Sequence, residues 1–122
     1  MIFDDEKRKR KKEAEEFEII VREILPAIRA LVVYRLYHIY GLTQVEIAQK
    51  LNVSQSAISR YLSGERGKVE NVLKNVPILT SIAEDMAKRY ANGEKDISIC
   101  DYCDKLKKDE KFMEYVQKRF SK

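Results

Sequence analysis

Two helix-start signals stand close together in the middle of this chain, and the residues between them allow little but a tight reversal. Thr43 is followed three residues on by Glu46, and Ser54 begins a second segment that Gly64 closes. A hydroxyl ahead of a helix accepts from the unpaired N–H groups of its first turn, and a glutamate three residues later can reciprocate as a capping box. The segments read as helices from Thr43 to Leu51 and from Ser54 to Ser63. Helices so short are marginal alone and need tertiary packing. They must therefore cross at a steep angle through the turn. Ala48 is small where the crossing is closest, and Ile47, Leu51, Val53, Ile58 and Tyr61 are apolar where the pair shares a core. Asn52 falls where the turn needs a left-handed residue, which asparagine tolerates next best to glycine. The outward positions of the second helix are then Gln55, Ser56, Ser59 and Arg60. None is acidic, and each can hydrogen-bond a base edge or a phosphate.

The flanking segments also read as helices. Glu13 to Glu23 is an acidic lead-in with Phe17, Ile20 and Ile24 at helical spacing. Pro26 suits a first helical turn and starts the next helix, which should run to Tyr40 and stop at Gly41. Ile28, Leu31, Val32, Leu36 and Ile39 form one stripe of it, and Val33, Tyr34, Tyr37 and Tyr40 make the other side apolar as well. A helix apolar on two faces is expected to be buried on both, one against the domain core and the other against the acidic lead-in helix or a second subunit. Further helices are expected from Lys68 to Asn75, from Pro77 to about Asn92, and from Asp96 through Leu106, with a break at Lys107–Asp109. Phe112, Val116 and Phe120 make a last stripe, suited to dimerisation or to docking on the core. No segment alternates like a strand. The expected class is all-α: residues 1–12 a basic arm, disordered when free; 13–93 the helical domain with its lead-in; 94–122 a helical arm for dimerisation or sensing.

The unit Gln44 to Ser63 closely resembles the lambda-repressor/Cro-like (XRE) helix-turn-helix family, over roughly Pro26 to Asn92 with its flanking helices. With the lead-in Leu25 to Val32 and the late Cys100-x-x-Cys103, the chain is similar to small archaeal regulators and to the module ahead of an archaeal thiamine-phosphate synthase domain. The resemblance implies a five-helix DNA-binding domain whose third helix, here 54–63, enters the major groove, usually as a homodimer on palindromic double-stranded DNA. It implies that Gln55 contacts a base, braced by Gln44, that Ser56 and Arg60 also face base edges with Ser59 beside them, and that Ser63 and Arg66 meet phosphates. Thr43, Ser54 and Lys68 complete the supporting set. Asn52 stands where the family usually has glycine, a conformation asparagine can adopt.

Bulk charge says less than placement: the net charge is only +4. The run Lys7 to Lys12 reads as a phosphate-tracking arm or as a solvated tail. Cys100 and Cys103 are too close together to staple a fold. They read as ordinary reduced thiols, a redox pair, or half of a metal site shared between two subunits, since His38, the single histidine, lies in another helix. Ser63 to Lys68 lacks the spacing of a phosphate loop, and Asn52-Val53-Ser54 is a turn rather than a glycosylation site. No catalytic arrangement or nucleotide loop is present, so no enzyme and no cofactor is expected. No apolar run reaches membrane-spanning length, and the acidic-then-basic N-terminus is not a secretory signal. The expected protein is a cytoplasmic sequence-specific transcriptional regulator, by default a repressor. The alternative is a protein-interaction module of the antitoxin or bridging-factor type built on the same scaffold.

Overall fold

In the computed structural model, which describes residues 17–64 and 66–120 (side chains at 66–68 and 119–120 excepted), a helix runs through Pro26 rather than starting at it. A π-helical turn, Ile20–Ile24, passes without a break into α1, Leu25–His38. Ile19, Ile24 and Leu25 all keep right-handed helical backbone, and the Leu25 N–H reaches the Ile20 carbonyl. Proline has no N–H, and its ring crowds the carbonyl four residues back. A wider turn just ahead of it accommodates both effects without breaking the helix. The lead-in is therefore a continuation of α1, not a separate helix. The basic run Lys7 to Lys12 lies outside the described residues.

The other helices are α2 (Gln44–Leu51), α3 (Gln55–Ser63), α4 (Arg66–Asn75), α5 (Ile78–Ala91), α6 (Cys103–Lys108) and α7 (Glu110–Phe120). No strand occurs among the described residues. The class is all-α. α1 is the axis of the fold, touching α2, α3, α4 and, most extensively, α5. Its buried face is Ala27, Ile28, Val32, Val33 and Leu36. Each large apolar side chain buried this way contributes about 1.5–3 kcal/mol. An ion pair of 2.5 Å between Arg35 and Glu84 closes the α1–α5 contact at its polar edge.

Within one chain the second apolar face of α1 is left uncovered over its C-terminal half, so of the two expected covers the lead-in helix does not supply it. Val33 is fully buried, but Tyr34, Tyr37, Ile39 and Tyr40 are all exposed, Ile39 to 59%. No described element covers Tyr34 and Tyr37, and Ile39 and Tyr40 fall beyond the end of the helix. α1 stops at His38, and the chain turns away at Gly41, φ +70°, with the Leu42 N–H bonded back to the Leu36 carbonyl at 3.0 Å. His38 lies in this surface cluster, its ring centroid 4.4 Å from that of Tyr34 and 5.0 Å from that of Tyr37.

After α5 the chain is not helical from Asp96, as the periodicity suggests, but only from Ile99, in a 3-10 turn to Tyr102. Ser98 caps it, accepting from the Cys100 N–H at 3.1 Å, while the Asp101 carboxylate accepts from the Ser98 N–H. The break before α7 falls at Asp109 as expected. The arm's apolar residues Tyr102, Leu106, Phe112, Tyr115 and Val116 are buried in the same hydrophobic cluster as α1 and α5. Phe112 and Val116 thus dock on the core; the Phe120 side chain lies outside the described residues. Arg89 fastens the junction, pairing with Glu94 at 2.8 Å and Asp101 at 3.2 Å and donating to the Tyr102 hydroxyl at 3.0 Å. The Tyr102 hydroxyl in turn donates to Asp85 at 2.5 Å. These partners hold the Arg89 guanidinium charged, the Tyr102 hydroxyl first among them.

Candidate nucleic-acid interface

The crossing of α2 and α3 is built by three local devices. Thr43 has extended backbone (ψ 160°), and its hydroxyl oxygen accepts from the Glu46 N–H at 3.1 Å. The Glu46 carboxylate accepts from the Thr43 hydroxyl rather than from the Thr43 backbone N–H, so only half of the expected capping box forms. Asn52 ends α2 in the left-handed conformation, φ 54° and ψ 48°. There the Val53 N–H bonds the Ala48 carbonyl at 3.0 Å and the Asn52 N–H bonds the Gln49 carbonyl at 3.3 Å, the paired bonds of a Schellman turn. Ser54 then restarts the chain as the cap of α3, accepting from the Ala57 N–H at 3.1 Å.

The residues that should lock the pair do so. Ile47 and Ile58 are fully buried and Ala48 nearly so, while Leu51, Val53 and Tyr61 pack partly buried against the core. With Ile58 turned inward, the opposite edge of α3 is left in solvent: Gln55, Ser56, Ser59 and Arg60 are all exposed. No acidic side chain occurs in α3, and among the described residues none pairs with Arg60. The Ser54 hydroxyl is committed to its cap. With the Ala57 N–H taken by that cap, the N–H groups of Gln55 and Ser56 at the start of α3 are those left for an anion.

The supporting residues differ in their freedom. Gln44, the first residue of α2, is half-buried, and among the described residues no hydrogen bond joins it to Gln55. Ser63 is exposed, but its hydroxyl donates to the Ser59 carbonyl at 2.8 Å. The backbone of Arg66 and Lys68 forms the first turn of α4; their side chains lie outside the described residues. Arg60 also borders a groove of about 610 Å³ between α1, α3 and α4, whose rim includes Arg22 and Asn71. Sequence reading missed those two because nothing local marks residues brought together only by the packing of α1 and α4 beside α3.

Cys100 and Cys103 are both free thiols. Cys100 is exposed; the Cys103 thiol is half-buried and donates to the Ile99 carbonyl at 3.6 Å. Burial, reinforced by neighbouring Cys100, pushes the Cys103 thiol up from its ordinary value, away from the thiolate that metal binding and disulfide exchange require. Among the described residues no helix is long and apolar enough to cross a membrane.

Comparison with known proteins agrees with this geometry. Residues 39–74 match the family model described as helix-turn-helix, a span that takes in α2, α3, the turn between them and most of α4. No curated protein and no solved structure gives a match to the chain. The capped helix pair, its left-handed Asn52 turn and the matching family model together identify residues 39–74 as a helix-turn-helix of the XRE, lambda-repressor-like kind, a family of DNA-binding regulators.

Proposed function

We propose that the chain is a sequence-specific transcriptional regulator that lays α3 in the major groove of duplex DNA. One observation carries this reading: the outward edge of α3 is polar, acid-free and fully presented, while the inward edge is locked by Ile58. Base readout falls to Gln55, Ser56, Ser59 and Arg60. Glutamine can pair two-pronged with adenine and arginine with guanine, each contributing about 1–3 kcal/mol of discrimination. Orientation falls to phosphate contacts from Thr43, Gln44, Ser54, Ser63, Arg66 and Lys68, which add affinity without sequence information. Ser63 can accept from a donor or lend its lone pairs, but to donate to a phosphate it must give up its bond to Ser59. Repression by occupying a promoter is the mode proposed.

The protein acts as a homodimer in this reading. The tail stripe is spent on the core, and the apolar surface proposed to meet a second copy is the exposed cluster of Tyr34, Tyr37, Ile39 and Tyr40 at the end of α1. Selection of bound duplexes from a random pool tests the whole proposal. Enrichment of a two-fold site with half-sites about 34–36 Å apart is the expected result. The logarithm of affinity should fall against the logarithm of salt with a slope of about −0.9 per phosphate neutralised. No enrichment and no binding to any duplex would overturn the reading in favour of a protein-interaction module.

A further inference from the structure

A cavity of about 440 Å³ lies where α1, the Asn52–Val53 turn, the end of α5 and the stretch 96–99 meet. That volume is within the range of small-molecule sites, roughly 300–1,000 Å³. None of Gln55, Ser56, Ser59 and Arg60 lines it, so it is separate from the proposed reading edge. Its floor is apolar, with Val32 and Met86 buried and Val53 half-buried.

The wall also carries two charges of opposite sign, Arg29 and Asp96. Among the described residues neither has an ion-pair partner, and they do not reach each other. Both nevertheless act on one phenol at the wall. The Tyr90 hydroxyl is pushed up chiefly by burial, with Arg29 pulling it down and Asp96 pushing it further up. That hydroxyl has only a long 3.5 Å bond, to the Ile97 carbonyl. The third charged group, Lys50, gives one of its three N–H donors to the Tyr90 carbonyl at 3.0 Å and adds a second positive charge to the wall, which favours a carboxylate. Asp96 is held with a left-handed backbone, φ 57°, so its position is set by the turn and not by a salt bridge.

An anion here would satisfy Arg29 and be repelled by Asp96; a cation would do the reverse. A small zwitterion satisfies both, and its hydrocarbon part has an apolar floor to cover. We propose that this cavity binds a free α-amino acid with an apolar side chain, its carboxylate on Arg29, its ammonium on Asp96 and its side chain against Val32, Val53 and Met86.

The test titrates the isotope-labelled full chain, without DNA, with L-leucine and L-phenylalanine in the millimolar range, following backbone amide resonances. Saturable shifts centred on Asn52, Val53, Tyr90 and Ile97 are expected for at least one of the two. 4-Methylpentanoate and 3-methylbutylamine, leucine without its amine or its carboxylate, should each bind at least about tenfold more weakly, the loss of one charge-assisted contact. Arg29→Gln and Asp96→Asn, conservative changes at exposed positions, should each weaken the amino acid by a similar factor while the rest of the spectrum stays folded. No saturable shift with either amino acid would overturn the proposal. So would equal binding of the acid or the amine, or shifts that map away from the cavity. Because DNA is absent, failure here leaves the DNA-reading proposal untouched.

Discussion

The ammonium of Lys50, in the last turn of α2, donates a 3.0 Å hydrogen bond to the carbonyl of Tyr90, near the end of α5. That carbonyl also accepts from the Gly93 N–H at 3.1 Å, and it lies at the negative end of the helix dipole, where a second, cationic donor is favourable. This bond fixes the helix pair against a helix far away in sequence. Lys50→Met keeps the hydrocarbon stem and deletes the charge. It should destabilise the fold by about 1–2 kcal/mol, the scale of a partly buried charge-assisted bond. Urea denaturation of the variant measures this, and an unchanged midpoint would show the bond to be incidental.

Asn52 tests the turn itself. At φ 54° a side chain branched at Cβ is strained, whereas glycine is not. Asn52→Val should cost about 1–2 kcal/mol, the scale of the left-handed penalty, while Asn52→Gly should lie within about 1 kcal/mol of the parent. Equal losses in the two variants would mean that the asparagine side chain, not its backbone, matters.

Arg60 separates reading from folding. Its side chain is exposed and has no acidic partner among the described residues, so Arg60→Ala should leave the melting temperature unchanged. Binding to a selected site should weaken by about 1–3 kcal/mol, with binding to random duplex nearly intact. Equal loss on both duplexes would reassign Arg60 to a phosphate.

Tyr102 governs the alkaline limit. Burial raises its pKa, as does its bond to Asp85, while Arg89 opposes them. Burial likewise raises Tyr90. An acid whose pKa is higher folded than unfolded binds more protons in the folded state, so stability falls as pH rises. The tyrosine contribution is complete below the unfolded value of 10.0 and is lost as pH climbs through the raised folded values. Thermal melts should therefore begin to fall from about pH 9, where the Cys103 thiol, also raised in the folded chain, ionises in the unfolded one, and fall more steeply above about pH 10 with the tyrosines. Tyr102→Phe should cost about 0.5–1.5 kcal/mol at neutral pH and make the alkaline decline shallower. A variant that declines as steeply as the parent would place the sensitivity elsewhere.

The helix-turn-helix was legible because its rules are local. The hydroxyls of Thr43 and Ser54 cap whatever helix follows them, and Asn52 can turn left-handed wherever it sits. The 3.6-residue repeat alone turns Ile47 and Ile58 inward and Gln55, Ser56, Ser59 and Arg60 outward; it marks Phe112 and Val116 as one stripe, and only the packing decides that the stripe docks on the core rather than on a second copy. Where two readings were both locally acceptable, the sequence misled or stayed silent. Tyr34 and Tyr37 have an apolar pattern, but burial depends on whether another element arrives to cover them, and none of those described does. Pro26 can start a helix or be carried through a widened turn, a choice made by the packing of Ile24, Ala27 and Ile28 on both sides of it. The placing of Arg29 and Asp96 on the wall of one cavity, and the bonds of Lys50 to Tyr90 and of Arg89 to Tyr102, have no sequence signature, because side chains far apart along the chain are brought together only when long-range burial folds α5 and the arm onto α1.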